Sequence, residues 1–378
     1  MWRRNLLFLG LVGGGVFALG AGLMPPRQPK PLTRFDASAY QAPEFRAVVE
    51  RVDISFRHQW TAQGLRPAAP APDLSAARRL ALGLMATIPS LEEIRQFEYL
   101  PAEQRLPWWI DHIVQDRRFA DNFAERFART FVGTEEGPFI LYRRRRFVDW
   151  LGNQFAANRP YDQMVRELIA SEGLWTDKPA TNFLSVTIQP DNKNQPDPVR
   201  LAGRVTRAFL GVRLDCAQCH NHPFAEWKQA DFQGLSAFFG QTHLGFSGVH
   251  DAPGEYEVKD RKTQELRTVA PSVPFAAELL PDTGSRRWRL ACWITDARNP
   301  YFARAAVNRV WALMLGRPLV EPVDNLESDA AAPPALDLLA DDLAAHGFDV
   351  RRLIRVIACT EVFRLDSATK HEVGEMEE

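Results

Sequence analysis

Along most of this chain apolar residues return every three to four positions and seldom alternate strictly, a pattern that predicts helices rather than strands. From Leu74 to about Gly240 the pattern is helical throughout. Ser90-Leu-Glu-Glu93 reads as a capping box that opens a short helix. Trp108 to Asp116 is amphipathic. Phe119, Phe123, Phe127 and Phe131 repeat at i+4, so four rings share one helix face, a core stripe. Two further helices, Phe147 to Phe155 and Tyr161 to Ile169, are separated by Pro160. Val199 to Leu210 is amphipathic with Leu201, Val205, Ala208 and Phe209 inward, Arg200, Arg204 and Arg207 opposite, and Gly211 as its end. Helical patterning returns from Arg286 to about Leu365. Asn299-Pro300 opens one helix, which runs through Trp311. Pro333-Pro334 opens another, ended by Gly347, and Asp349 to Cys359 forms a third.

Between these stretches, residues 245–285 are turn-rich, and Glu255 to Lys259 with Thr268 to Ala270 predicts a small β-hairpin. The expected fold is therefore mainly α. A helical domain over 73–244 is joined through a turn-rich linker, 245–285, to a helical companion domain over 286–367, with a tail at 368–378.

The N-terminus follows another rule. Two arginines within Met1 to Arg4 precede the uncharged run Asn5 to Met24. A basic flank before an apolar run is a secretory pattern, and the run is long enough for a membrane helix. Residues 1–24 thus read as a cleaved signal peptide or a retained anchor. Either places the rest of the chain on the exported side, periplasmic or at the cell surface. Residues 25–72 are punctuated by prolines at both ends and read as a tether, with a short element over Ala47 to Ile54.

The formal net charge of −1 gives no global field for nucleic acid, so no nucleic-acid partner is expected. Arg143 to Arg146 reads as a solvated helix face. Asp191 and Asp197 border a polar loop, read as plain surface rather than a cation site. No Gly-rich phosphate loop, nucleophile elbow or His-Glu-x-x-His motif is present, so no independent catalytic constellation is seen. Four cysteines are too few for a disulfide scaffold. Cys292 and Cys359 lie in apolar stretches and read as small buried hydrophobes.

The other two cysteines carry the chemistry. Cys216-Ala-Gln-Cys219-His220 fits the c-type haem attachment pattern. Two thiols this far apart reach the two vinyl groups of one porphyrin edge, and the next imidazole falls under the iron as proximal ligand. Three occupants compete: haem c on Cys216, Cys219 and His220; zinc on Cys216, Cys219, His220 and His222; and a disulfide or thioredoxin-like redox pair. His222 otherwise packs with Pro223 and Phe224. Arg213 is placed to meet a haem propionate or to stay solvated. Candidate sixth ligands are His243, His250, Met164 and Met314. The favoured reading is an exported, membrane-associated redox or electron-transfer protein, held by its N-terminal segment and served by a redox partner protein in the envelope. The alternative is a non-redox envelope binding or scaffold protein whose Cys/His cluster is a structural metal or disulfide staple. A weaker third is a subunit of an exported carbohydrate-processing system.

Phe209-Leu-Gly-Val-Arg-Leu-Asp-Cys-Ala-Gln-Cys-His-Asn-His-Pro-Phe224, with Glu226 to Phe239 and Pro160-Tyr-Asp-Gln-Met-Val-Arg166, resembles the planctomycete cytochrome-c-like domain family. Asn299 to Trp311, Gly316 to Asn325, His346-Gly-Phe-Asp-Val350 and Phe363-Arg364 resemble its usual companion, a planctomycete-specific domain of unknown function. The resemblance spans most of Leu74 to Ser367. It implies an exported bacterial protein with a haem motif and supplies no established activity. Family members of this architecture run well past the position of Ser367, so the resemblance implies a C-terminally shortened member.

Overall fold

A computed structural model describes residues 2, 10, 12–15, 35–134, 142–188, 193, 195–221, 226–259, 264–327 and 332–367. The apolar run 5–24 lies for most of its length outside the described residues, as does the tail from 368. Among the described residues no helix is long and apolar enough to cross a membrane.

The chain is mainly helical, and the reasons are local. Ser90 accepts from the Glu93 N–H (3.2 Å) while the Glu93 carboxylate takes the Ser90 N–H (2.7 Å), closing the capping box that opens Leu91–Tyr99. Asp116 caps Arg117–Val132, the helix that bears the phenylalanine stripe. All four rings of the stripe are buried and touch in sequence, with centroids 4.5, 5.8 and 5.5 Å apart. The stripe continues into Phe209 (5.1 Å from Phe131) and Phe183. These rings wrap each other, and each contributes roughly 1.5–3 kcal/mol of burial.

Arg117–Val132 packs along Arg144–Ala156 as an antiparallel pair, and Arg286–Thr295 packs on Tyr161–Ala170. The expected hairpin forms as Tyr256–Lys259 against Leu266–Val269, with Tyr256 opposite Val269. A second one, Thr242–Gly245 against Gly248–Asp251, lies where the sequence suggested turns. Arg287 ties the latter to the helices. Its fully buried guanidinium donates to Asp251 (2.7 Å) and to the Ile169 and Ser171 carbonyls (3.1 and 2.8 Å).

Two expectations change. Within the supposed tether, Pro43–Ala62 is a 20-residue helix whose Phe45, Val48 and Val52 are buried against Pro334–Ala345 and Val350–Cys359. Val49 and Phe56 pack partly against the same core, and the Glu, Arg, His and Gln that fill the rest of the helix hide the stripe from composition. The supposed linker is a boundary in sequence only. One continuous cluster of buried side chains runs from Phe45 to Phe363, so helices from both sides of 245–285 share a core. Helices with single apolar faces must bury them somewhere, and here they do so across that boundary.

Candidate functional site

The Cys-x-x-Cys-His segment begins where a helix ends. Asp197 caps Pro198–Val205, accepting from the N–H groups of Val199 (2.9 Å) and Arg200 (3.2 Å), so this acidic residue of the polar loop is a helix cap. Asp191 lies outside the described residues. The helix widens into one π turn, Thr206–Leu210, and Gly211 ends it in the left-handed conformation (φ 62°), as the sequence indicated. A short 3-10 turn, Leu214–Ala217, carries the first cysteine. Leu214 and Ala217 are buried and pin the turn, while Cys216, Cys219 and His220 are exposed. Gly203 lets this turn approach, since a Cβ there would meet the Asp215 Cβ at 3.2 Å. His222 lies outside the described residues.

Both thiols are free. The His220 Nδ1 is 2.6 Å from the Asn221 carbonyl oxygen. A carbonyl only accepts, so Nδ1 donates, and the lone pair of this tautomer sits on Nε2. That is the tautomer an axial iron ligand requires. The donor set therefore fits a c-type haem: two thiols for a porphyrin edge and a neighbouring imidazole with Nε2 open. Among the described residues Cys216, Cys219 and His220 do not gather as a metal-ligating cluster, and the fourth zinc candidate, His222, lies outside them.

The motif rests on a strap from the C-terminal segment, which no local pattern signals. Asn308, fully buried, donates to the Val320 carbonyl (2.8 Å) and accepts from the Val320 N–H (3.0 Å). Leu326 then donates to the Gly211 carbonyl (2.8 Å), and its side chain fills the space beside Gly211. Asp324 takes both arms of Arg213 (2.6 and 3.1 Å), so Arg213, though exposed, is held in an ion pair within the chain. Asp215 pairs with Arg207. Glu327 accepts from the Trp227 indole (2.6 Å) and the Tyr301 hydroxyl (2.7 Å). Partly exposed pairs of this kind contribute roughly 0–1 kcal/mol each, so their role is to fix position.

Other candidates fall elsewhere. Met164 and Met314 are buried in the core, and His243 and His250 face each other in the hairpin of Thr242–Gly245 with Gly248–Asp251. The Cys359 thiol is pushed up to about 12 by burial, and burial also raises Cys292, as inert small hydrophobes should behave. Arg143 lies over the Trp175 ring and Arg144 grips Glu125 with two bonds of 2.9 Å, so only Arg145 and Arg146 of that run are exposed. Glu93, His112 and Asp116 gather as a cluster the sequence did not suggest. Arg118 already supplies its cation, bonding both carboxylates, and Glu93 is committed to the capping box. Burial pushes the Glu93 carboxyl up, but hydrogen bonds from Ser90, Arg118 and His112 outweigh it and hold it at about 2.

Fold and site together define a mainly helical protein that displays a Cys-x-x-Cys-His turn on its surface. The chain belongs to the PSCyt2 family, described as "Protein of unknown function (DUF1549)", which matches residues 51–244. Residues 286–378 match PSD1, "Protein of unknown function (DUF1553)". The two follow in the order that the resemblance implied. No curated protein and no solved structure matches the chain.

Proposed function

We propose that this chain is an exported, membrane-held protein of the cell envelope that carries one haem c, attached through Cys216 and Cys219 with His220 as the proximal ligand, and that it passes electrons to an envelope partner. The supporting observation is the His220 ring: its Nδ1 proton is committed to the Asn221 carbonyl, leaving Nε2 available beside two free, exposed thiols. The basic-flanked apolar N-terminus supports export and a membrane partner. When bound, haem supplies a one-electron couple. The chain's residues hold and orient the attachment turn: Leu214 and Ala217 anchor it, and Arg213, Asp215 and Asp324 fix its flank. Exposure of the turn suits contact with a partner surface.

Expression with export and haem-maturation machinery tests this. The protein should carry a Soret-absorbing pigment that survives denaturing electrophoresis, and Cys216→Ala should reduce its attachment. Deleting residues 5–24 should leave the product uncoloured in the cytoplasm. A colourless exported protein with stoichiometric zinc would overturn the haem reading in favour of a structural metal staple.

A further inference from the structure

Among the described residues the core takes in two arginines, Arg287 and Arg309, and treats them differently. Arg287 is met by Asp251, Glu172 and the carbonyls of Ile169 and Ser171. Arg309 stands in the helix Phe302–Leu315 at 4% exposure, and neither of its terminal nitrogens has a hydrogen-bond partner. The carboxylate whose charge reaches it is Asp324, which gives both of its oxygens to Arg213. A guanidinium does not escape burial by losing its proton, so an acceptor has to come to it.

Tyr161 supplies a second donor at the same place. Its ring stacks on Phe302 (centroids 5.4 Å apart, planes at 15°) and meets Phe127 edge-on at 5.9 Å. Phe302 precedes Arg309 by seven residues, so both lie on one face of the helix, with Ala305 between them. Helical side chains lean toward the helix N-terminus, which lays the Arg309 guanidinium over Ala305 and toward Tyr161. Gly211 and the Leu326 side chain close on Ala305 from the other side. The Tyr161 hydroxyl is buried and also has no partner of hydrogen-bonding geometry, although it and Arg309 are near enough to act on each other's charge. Burial pushes that hydroxyl up to about 12 against a lowering by Arg309, so it keeps its proton and is no counter-ion. A protonated guanidinium accepts nothing, and the phenol oxygen takes at most part of what Arg309 offers. The neighbours Phe127, Phe302, Ala305 and Leu326 bring apolar side chains.

We infer that one small monovalent anion of the halide class, with chloride as the probe, binds between the Arg309 guanidinium and the Tyr161 hydroxyl, over Ala305. A single-atom anion accepts from several directions at once, supplies the charge Arg309 lacks, and needs less room than an oxyanion. Tyr161 belongs to the segment 51–244 and Arg309 to the segment 286–378, so the ion clamps the two together beneath Gly211, where the attachment turn begins. The site stands whether or not haem is attached.

Calorimetric melting of the full chain in detergent, in sodium chloride and in sodium gluconate at one ionic strength, tests this with screening held equal. Chloride should raise the melting temperature, by about 5 °C at a hundredfold excess over its dissociation constant, and bromide should replace it. Arg309→Met keeps the length of the side chain and drops its charge. It should abolish the halide response and melt in gluconate no lower than the parent, since an apolar chain replaces an uncompensated buried charge. Tyr161→Phe should weaken chloride about tenfold, the loss of one charge-assisted bond. Arg317→Met, at an exposed pair with Glu321, should keep the whole response. Anomalous scattering from a bromide-soaked crystal of the full chain should place one atom within hydrogen-bond reach of the Arg309 terminal nitrogens and the Tyr161 oxygen. That measurement needs no variant and decides the matter if Arg309→Met does not fold. Equal melting in chloride and gluconate, a halide response that survives Arg309→Met, or a water in place of bromide at that position overturns the proposal.

Discussion

Asn308→Ala probes how the C-terminal segment supports the motif. Asn308 is completely buried and acts as a stand-in for a backbone partner, satisfying both the N–H and the carbonyl of Val320, itself 3% exposed. Removing the amide strands two polar groups where water does not reach. Each lost bond and its unpaired partner costs about 1–2 kcal/mol, so the variant should lose about 2–4 kcal/mol. At roughly 2 °C per kcal/mol for a chain of this size, the melting temperature should fall about 4–8 °C. Val320 leads into the strap that carries Asp324, Leu326 and Glu327, so the attachment turn should loosen as well. Calorimetric melting reads the first effect. The rate at which a thiol reagent labels Cys216 and Cys219 reads the second, and it should rise. A melting temperature within about 1 °C of the parent would refute the reasoning, because it would mean that Val320 finds other partners at no cost.

Further outcomes follow from other buried groups. Arg287→Met leaves Asp251 and two carbonyls without their donor and should cost about 3–5 kcal/mol in urea unfolding. Gly211→Ala forces a side chain into a left-handed backbone against the Leu326 side chain at 3.0 Å; a loss of about 1–2 kcal/mol is expected, and none would show that the π turn relaxes freely. Burial raises the Asp53 carboxyl to about 6, against a weaker lowering by the Glu361 N–H, so the folded state holds its proton longer than the unfolded state does. Its contribution is complete below about pH 4 and is lost as pH rises through about 6. Asp53→Asn should flatten melting temperature over that window, and an unchanged profile would count against the assignment. Glu93 works oppositely: its stabilisation is present above its ordinary range and lost as pH falls toward about 2, and Glu93→Gln should blunt the acid limb of unfolding.

Local pattern alone determined most of the helices, the capping box, the phenylalanine stripe, Gly211 as a helix end and the hairpin of Tyr256–Lys259 with Leu266–Val269, because each depends on residues close to each other in sequence. The Cys216-Ala-Gln-Cys219-His220 segment was equally legible, since its chemistry requires adjacent residues. Of the helix Pro43–Ala62 only Ala47 to Ile54 read as a short element, because the partner that gives its apolar face meaning, Pro334–Ala345, lies nearly 300 residues away. Only the tertiary structure decided that both segments share one core and that Asp324 and Glu327 brace the motif. It also decided that Arg309 meets Tyr161 inside that core and that the Asn221 carbonyl selects the His220 tautomer. The division has a physical cause: backbone hydrogen bonds and side-chain spacing act locally and are written in sequence order, whereas ion pairs, cavities and shared cores form between residues that only folding brings together.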